Sequence, residues 1–260
     1  MSLLNDRIAL VTGAARGVGA TIARVLAEAG ATVVLTDVLI PEGEKMAAEL
    51  GGRASFAPLD VTEEAQWSQV VESVLSAHGR IDVLVNNAAI LHLGTLENTP
   101  PDIFRRVLDV NTVGPYLGTR AVLAAMKSQQ KGSIVHVASI DGMVGMNGVT
   151  AYAASKFGLR GFAKSSSLEL GRAGIRVNSV CPAGGNPEMF GPWFEKMGAF
   201  AKDTQAYTDN RSIPGAISFE AIANAVLYLA ADVSDGVTGI DLPVDGGATA
   251  GKFIEGFNSI

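Results

Sequence analysis

Cysteine, charge and aromatic side chains are all scarce in this chain. Its 260 residues include one cysteine, with 18% charged and 6% aromatic residues. Cys181 has no second thiol to pair with, so an internal disulfide is excluded. The opening "MSLLNDRIALV" lacks the charged, apolar and small-residue zones of a secretion signal. Both features point to the cytoplasm. No uninterrupted apolar run approaches the roughly 18 residues of a spanning helix, so no membrane helix is expected. The 20 Lys and Arg are scattered singly in a chain of net charge −6. Without a basic stripe to follow a phosphate backbone, nucleic acid is not expected as a partner. No internal repeat stands out and no metal site is expected.

Hydrophobic residues, at 48%, are well supplied, and the mean hydropathy is +0.27. A chain of this length suits one large α/β core, so residues 1–260 are expected to form one domain. Short β-branched or aliphatic runs, "RIALVT", "TVVLTD", "ASFAPLD", "IDVLVNN", "GSIVHVAS", "IRVNSVC" and "GIDLPVDGG", alternate with helical-period segments beginning near Gly17, Pro41, Glu63, Pro101, Thr150 and Ser218. Several runs are apolar without polar alternation, as in strands covered on both faces. The regular β-α-β order then predicts a doubly wound parallel sheet of seven strands in an α/β/α sandwich. Residues 183–217 break the alternation and carry Phe190, Trp193, Phe194, Phe200 and Tyr207. So long an insertion reads as a lid over a functional site.

The first strand runs into "TGAARGVG", Thr12 to Gly19. Glycines permit a tight turn and close approach to a pyrophosphate, and the N–H groups of the following helix favour its charge. A plain glycine-rich strand-to-helix turn would look the same. A P-loop is disfavoured, because no Lys-Ser or Lys-Thr pair follows the glycines. Asp37 ends the second strand, where a carboxylate can accept hydrogen bonds from an adenosine ribose and repel a 2′-phosphate. It favours NAD over NADP; Arg16, a cation in the glycine turn, argues weakly the other way. Tyr152 and Lys156, four apart in "TAYAASKFGLRGF", share a helix face. They form either a catalytic pair or two surface neighbours.

"TGAARGVG", "NNAA" from Asn86, Asn111, Ser139, "YAASK" from Tyr152 and "IRVNSVCPAG" together resemble the short-chain dehydrogenase/reductase family, in order and along nearly the whole chain. The resemblance implies a Rossmann-like fold, usually a homotetramer, binding a dinucleotide. It assigns Gly13, Gly17 and Gly19 to the pyrophosphate turn, with Arg16 and Val18 beside them. Asp60 and Val61 would flank the adenine, although Asp60 also reads as a helix cap. Asn87 would support the nicotinamide side, and Pro182 and Gly184 complete the cofactor set. In the implied reaction centre Tyr152 transfers the proton, Lys156 lowers its pKa and binds the nicotinamide ribose, Ser139 holds the substrate oxygen and Asn111 positions a relay water. A phenol with pKa near 10 must be acidified to act as a base, and an ammonium about 4 Å away would contribute roughly three pK units.

The pattern departs from the family after the sixth strand. Ala183 follows Pro182, and Pro187 falls where the family commonly carries a Thr against the cofactor carboxamide. Asn186 could replace that contact or simply open a turn. The aromatics Phe190, Trp193, Phe194, Phe200 and Tyr207, with Met143, Val144, Met146, Met189 and Met197, could line an apolar substrate pocket or pack the lid onto the core. Asp141 and His92 are candidates for binding a distal polar group, though a solvated loop describes each as well. Phe253, Ile254, Phe257 and Ile260 suggest that the tail docks on a subunit or over a pocket, with a disordered end as the alternative. Within the family the chain is similar to bacterial NAD-dependent hydroxysteroid dehydrogenases, which implies a bulky hydrophobic secondary alcohol as substrate. Another cyclic alcohol or diol, an oxoacyl thioester, and a non-catalytic NAD sensor are the alternatives.

Overall fold

The computed structural model describes residues 2–184, 187–193, 208–209 and 211–254. Seven parallel strands form one sheet in the order β3-β2-β1-β4-β5-β6-β7. They are β1 (Ile8–Thr12), β2 (Thr32–Asp37), β3 (Ala54–Pro58), β4 (Val83–Asn86), β5 (Gly132–Val137), β6 (Ile175–Pro182) and β7 (Asp241–Val244). Every one of the seven apolar runs becomes a strand. The helices are α1 (Gly17–Glu28), α2 (Ile40–Leu50), α3 (Glu64–His78), α4 (Pro101–Leu108), α5 (Gly114–Gln129), α6 (Thr150–Leu170), α7 (Pro187–Phe190) and α8 (Phe219–Ala230).

The two-residue period of the strands sorts side chains into two cores. Ala9, Val11, Val33 and Leu35 face one layer with Ile22 and Leu26 of α1 and Val226 and Leu229 of α8. Leu10, Val34 and Leu84 face the other with Trp67, Val122 and Met126 of α3 and α5. Central strands β1, β4 and β5 are buried throughout, and this is why their sequences lack polar alternation. Trp67, almost wholly buried, also donates its indole N–H to the Val61 carbonyl at 2.9 Å, fixing the loop after β3. Truncating a buried Trp typically costs about 3–5 kcal/mol.

One helix is less regular than its period predicted. The segment beginning at Pro101 is interrupted by a π turn over Asp109–Val113 before α5 resumes. Such wide turns often mark functional sites, and this one contains Asn111.

Candidate active site

Strand order reverses between β1 and β4, and a crevice opens there outside the carboxyl ends of the strands. A cavity of about 540 Å³ occupies it, running from the glycine turn past Asp37 and Asp60 to Ser139, Tyr152 and Lys156. Gly13 and Gly17 adopt φ of +63° and +57°, which L side chains rarely tolerate. A Cβ on Gly13 would stand 2.8 Å from Ala88 Cα, and one on Gly19 would collide with the Gly13 carbonyl. The turn therefore needs these glycines to pass close to β4. Arg16 stands at the N-cap of α1 without a side-chain cap, no acid occupies the first turn, and Val18 lines the cavity. This end of the helix suits an anionic group.

Asp37 accepts from the Ala15 and Leu39 N–H groups at 3.0 and 3.1 Å, which orients its carboxylate beside the glycine turn. Asp60 is not a helix cap, since α3 begins at Glu64 with Glu63 as N-cap. Burial would raise its pKa, but hydrogen bonds from the Thr62 N–H and hydroxyl and the charge of Arg106 hold it below the ordinary carboxylate value. Val61, Pro182 and Gly184 line the cavity as well. Asn87 donates through Nδ2 to the Thr12 and Gly13 carbonyls at 2.9 and 3.0 Å. Its amide thus ties the glycine turn to β4 while the residue remains on the cavity wall.

Asn111 is fully buried, and its carboxamide accepts from the Ile90 N–H at 2.8 Å and donates to the Ile90 carbonyl at 2.9 Å and Ser155 Oγ at 3.0 Å. The side chain locks the loop after β4 to α6, and a water relay through this residue would have to use its main chain. Ser155 in turn donates to the Tyr152 carbonyl at 2.6 Å. Thr12 does similar work below the cofactor turn, its hydroxyl accepting from the N–H groups of Asn87 and Ala88. Ser155, Thr12 and Arg106 were not singled out from the sequence. Each acts on a partner more than 40 residues away, which no local spacing reveals.

Tyr152 and Lys156 are buried together on α6 at 8% and 2% exposure, beside Ser139 at the end of β5. Lys156 Nζ donates to the Val137 carbonyl at 2.9 Å and lies 5.5 Å from the centre of the Tyr152 ring. The expected acidification of the phenol does not occur in the folded chain alone. Burial, and then the charge of Asp141, push the Tyr152 pKa above its ordinary value, while hydrogen bonding with Ser139 opposes them only in part. Burial likewise pulls Lys156 down to about 8. Behind them His136 is held neutral, its pKa lowered to about 3 by burial and the Lys156 charge. Cys181 is an inert thiol, pushed up to about 12 chiefly by burial.

Of the residues expected at the substrate, Asp141, Met146, Met189 and Phe190 line the cavity. Met143 does not; it packs on Ala138, Leu159 and Cys181. Trp193 is also absent from the cavity lining and meets His92 edge to face, with centroids 5.2 Å apart. Val144 is exposed. Asn186, Phe194, Met197, Phe200, Tyr207, Phe257 and Ile260 lie outside the described residues.

Residues 7–198 match the short chain dehydrogenase family model, and the chain belongs to that family. Its Rossmann-like fold is one that binds a nicotinamide cofactor, and the chain is an oxidoreductase of this class. It is 40% identical to a 3-alpha-(or 20-beta)-hydroxysteroid dehydrogenase of Mycobacterium tuberculosis, over 99% of this chain and 95% of the relative. It is also 40% identical to a trans-4-hydroxycyclohexanecarboxylate dehydrogenase of Sinomonas cyclohexanicum, over 97% and 98% of the two chains. A gluconate 5-dehydrogenase from Burkholderia cenocepacia, solved with NADP and tartrate, superposes with a TM-score of 0.89 at 30% identity, over 95% of this chain and 97% of that one.

Proposed function

We propose that this protein is an NAD-dependent dehydrogenase that interconverts a bulky hydrophobic secondary alcohol on a ring, a hydroxysteroid or another cyclic alcohol, with its ketone. The observation that carries this reading is the burial of Tyr152 and Lys156 beside Ser139 in the same cavity that reaches Asp37. The glycine turn suits a pyrophosphate, because Gly13 and Gly19 line the cavity at the amino end of α1, where no acid occupies the first turn. The Asp37 carboxylate supports NAD over NADP, although the Burkholderia enzyme was solved with NADP. The relatives named for a hydroxysteroid and a hydroxycyclohexanecarboxylate both act on a secondary alcohol of a ring-containing molecule, which supports that substrate class.

When bound, the nicotinamide supplies the two-electron acceptor and, oxidised, a positive charge. Ser139 holds the substrate oxygen. Tyr152, kept protonated by burial, is ready to donate its proton to a ketone oxygen; in alcohol oxidation it takes that proton back. Lys156, anchored on the Val137 carbonyl, binds the ribose and favours the phenolate. The chain acts as a single domain, and Met189 and Phe190 on the cavity wall support a lid role for the segment that carries them. The protein works in the cytoplasm as a homotetramer; exposed Tyr116 on α5 and Phe157 and Leu168 on α6 support association between copies.

Replacing Tyr152 with Phe tests the centre. NADH formation at 340 nm on a panel of steroids and ring alcohols is expected to fall about 10²–10⁴-fold, with NAD affinity by calorimetry nearly unchanged. Wild-type turnover in that variant would refute the assignment. NAD binding without turnover by the wild type across the panel would instead support a sensor.

A further inference from the structure

Asp141 lies in the short turn Ile140–Gly142 immediately after Ser139. Its N–H donates to Ser139 Oγ at 3.1 Å, and its carboxyl Oδ2 stands 3.2 Å from the same hydroxyl. The residue lines the cavity alongside Tyr152 and Lys156. It is partly buried on the cavity wall.

The carboxyl group also differs from its neighbours in lacking, among the described residues, a cationic or backbone N–H partner. Asp37 accepts two backbone N–H groups. Asp60, Asp82 and Asp241 each pair with at least one arginine, and Asp245 accepts from Gly247 and Thr249. Asp141 has the Ser139 hydroxyl alone, and among the described residues no donor meets Oδ1 and no cation faces the group. Burial accordingly pushes its pKa up. An acceptor oxygen left open towards a reaction cavity is available to a ligand donor that enters it.

Distance narrows what that ligand group is. A carbinol oxygen hydrogen-bonded to Ser139 sits about 2.8 Å from Oγ, which puts the Asp141 carboxyl roughly 5–6 Å from the reacting oxygen. A hydroxyl on the adjacent carbon, or on the one beyond, spans that interval while donating to Oδ1. We propose that Asp141 is a substrate-recognition residue whose open oxygen accepts a hydrogen bond from a second hydroxyl, selecting vicinal or 1,3-related diols over simple ring alcohols.

The inference rests on the reaction centre proposed above, and one comparison separates the two. Wild type, Asp141→Ala and, should that variant fail to fold, Asp141→Ser are assayed with NAD on trans-1,2-cyclohexanediol and cyclohexanol. The wild-type kcat/KM ratio of diol to monool is expected to exceed about tenfold, because a site built to bond a hydroxyl discriminates against its absence. In the variants the ratio should collapse towards unity, mainly through a higher KM for the diol. Oxidation of both alcohols with an unaltered ratio in the variants overturns the role of Asp141 and leaves the reaction centre standing. Turnover of neither alcohol by the wild type overturns this inference, while the reaction centre stands or falls on the steroid and ring-alcohol panel.

Discussion

The two ends of the sheet treat charge in opposite ways. At the amino ends a cavity of about 290 Å³ is lined by Arg7, Asp82, Lys131, Arg176 and Asp232. Arg7 bonds Asp82 and Asp232 at 3.1 and 2.9 Å, Arg80 bonds Asp82, and Lys131 bonds Asp232 at 2.8 Å. Arg176 donates to the Leu229 carbonyl and Ser234 Oγ. At the carboxyl ends, among the described residues, Lys156 donates to a carbonyl and pairs with no carboxylate, Tyr152 is desolvated and Asp141 has the Ser139 hydroxyl on one oxygen. Polarity by itself is therefore a poor guide to function. Paired charge closes the bottom of the sheet, whereas unpaired and buried groups at the top have pKa values displaced against their charged forms, as reactive sites require.

Neutralising one charge at each end should break the comparison in different currencies. The largest effect is expected from Lys156→Met, with turnover reduced about 100-fold or more and the melting temperature held or raised, since a desolvated cation is removed. The folded-state pKa of about 8 lies below the ordinary 10.5. Its destabilising contribution is complete below pH 8 and relieved as the pH rises towards 10.5, so wild type should gain on the variant across that window in thermal melts. A loss of several degrees at pH 7 would refute this.

Asp82→Asn should do the reverse, costing on the order of 2 kcal/mol, seen as a melting point lower by several degrees. Activity per folded molecule should be retained. Burial would raise the Asp82 pKa, but hydrogen bonds from Arg80, Ile8 and Arg7 bring it below its unfolded value. Its stabilisation is present above the unfolded pKa, near 4, and lost as the pH falls through the lowered folded value. The variant should therefore show a flatter acid limb in melts from pH 2 to 6. The smallest effect sharpens the cofactor half of the upper end: Asp37→Ala is expected to narrow the NAD over NADP preference about tenfold, or ~1.4 kcal/mol. An unchanged ratio of kcat/KM for the two cofactors would remove Asp37 as the discriminator.

Much of the upper end was legible because its signals are local. A turn that passes a neighbouring strand needs Gly13, Gly17 and Gly19, and the i, i+4 spacing in "YAASK" puts Tyr152 and Lys156 on one helix face. Partners at long sequence separation were not legible. The Asn111 carboxamide meets Ile90 and Ser155, Met143 turns into the core instead of the cavity, and a helix read as continuous opens into a π turn. The direction of the Tyr152 shift was misjudged for a related reason. Charge pairing can be imagined from spacing, but desolvation depends on everything packed around the ring.

By itself the sequence determined the parallel sheet, the glycine turn and the shared helix face of Tyr152 and Lys156, since strand period, glycine backbone freedom and helix pitch are properties of short segments. Only the tertiary structure decided that Lys156 is anchored on Val137, that the phenol stays protonated and that Asp141 keeps an open oxygen beside Ser139. Those states depend on burial and on which donors arrive from other elements, and neither is set until the chain has closed around the site.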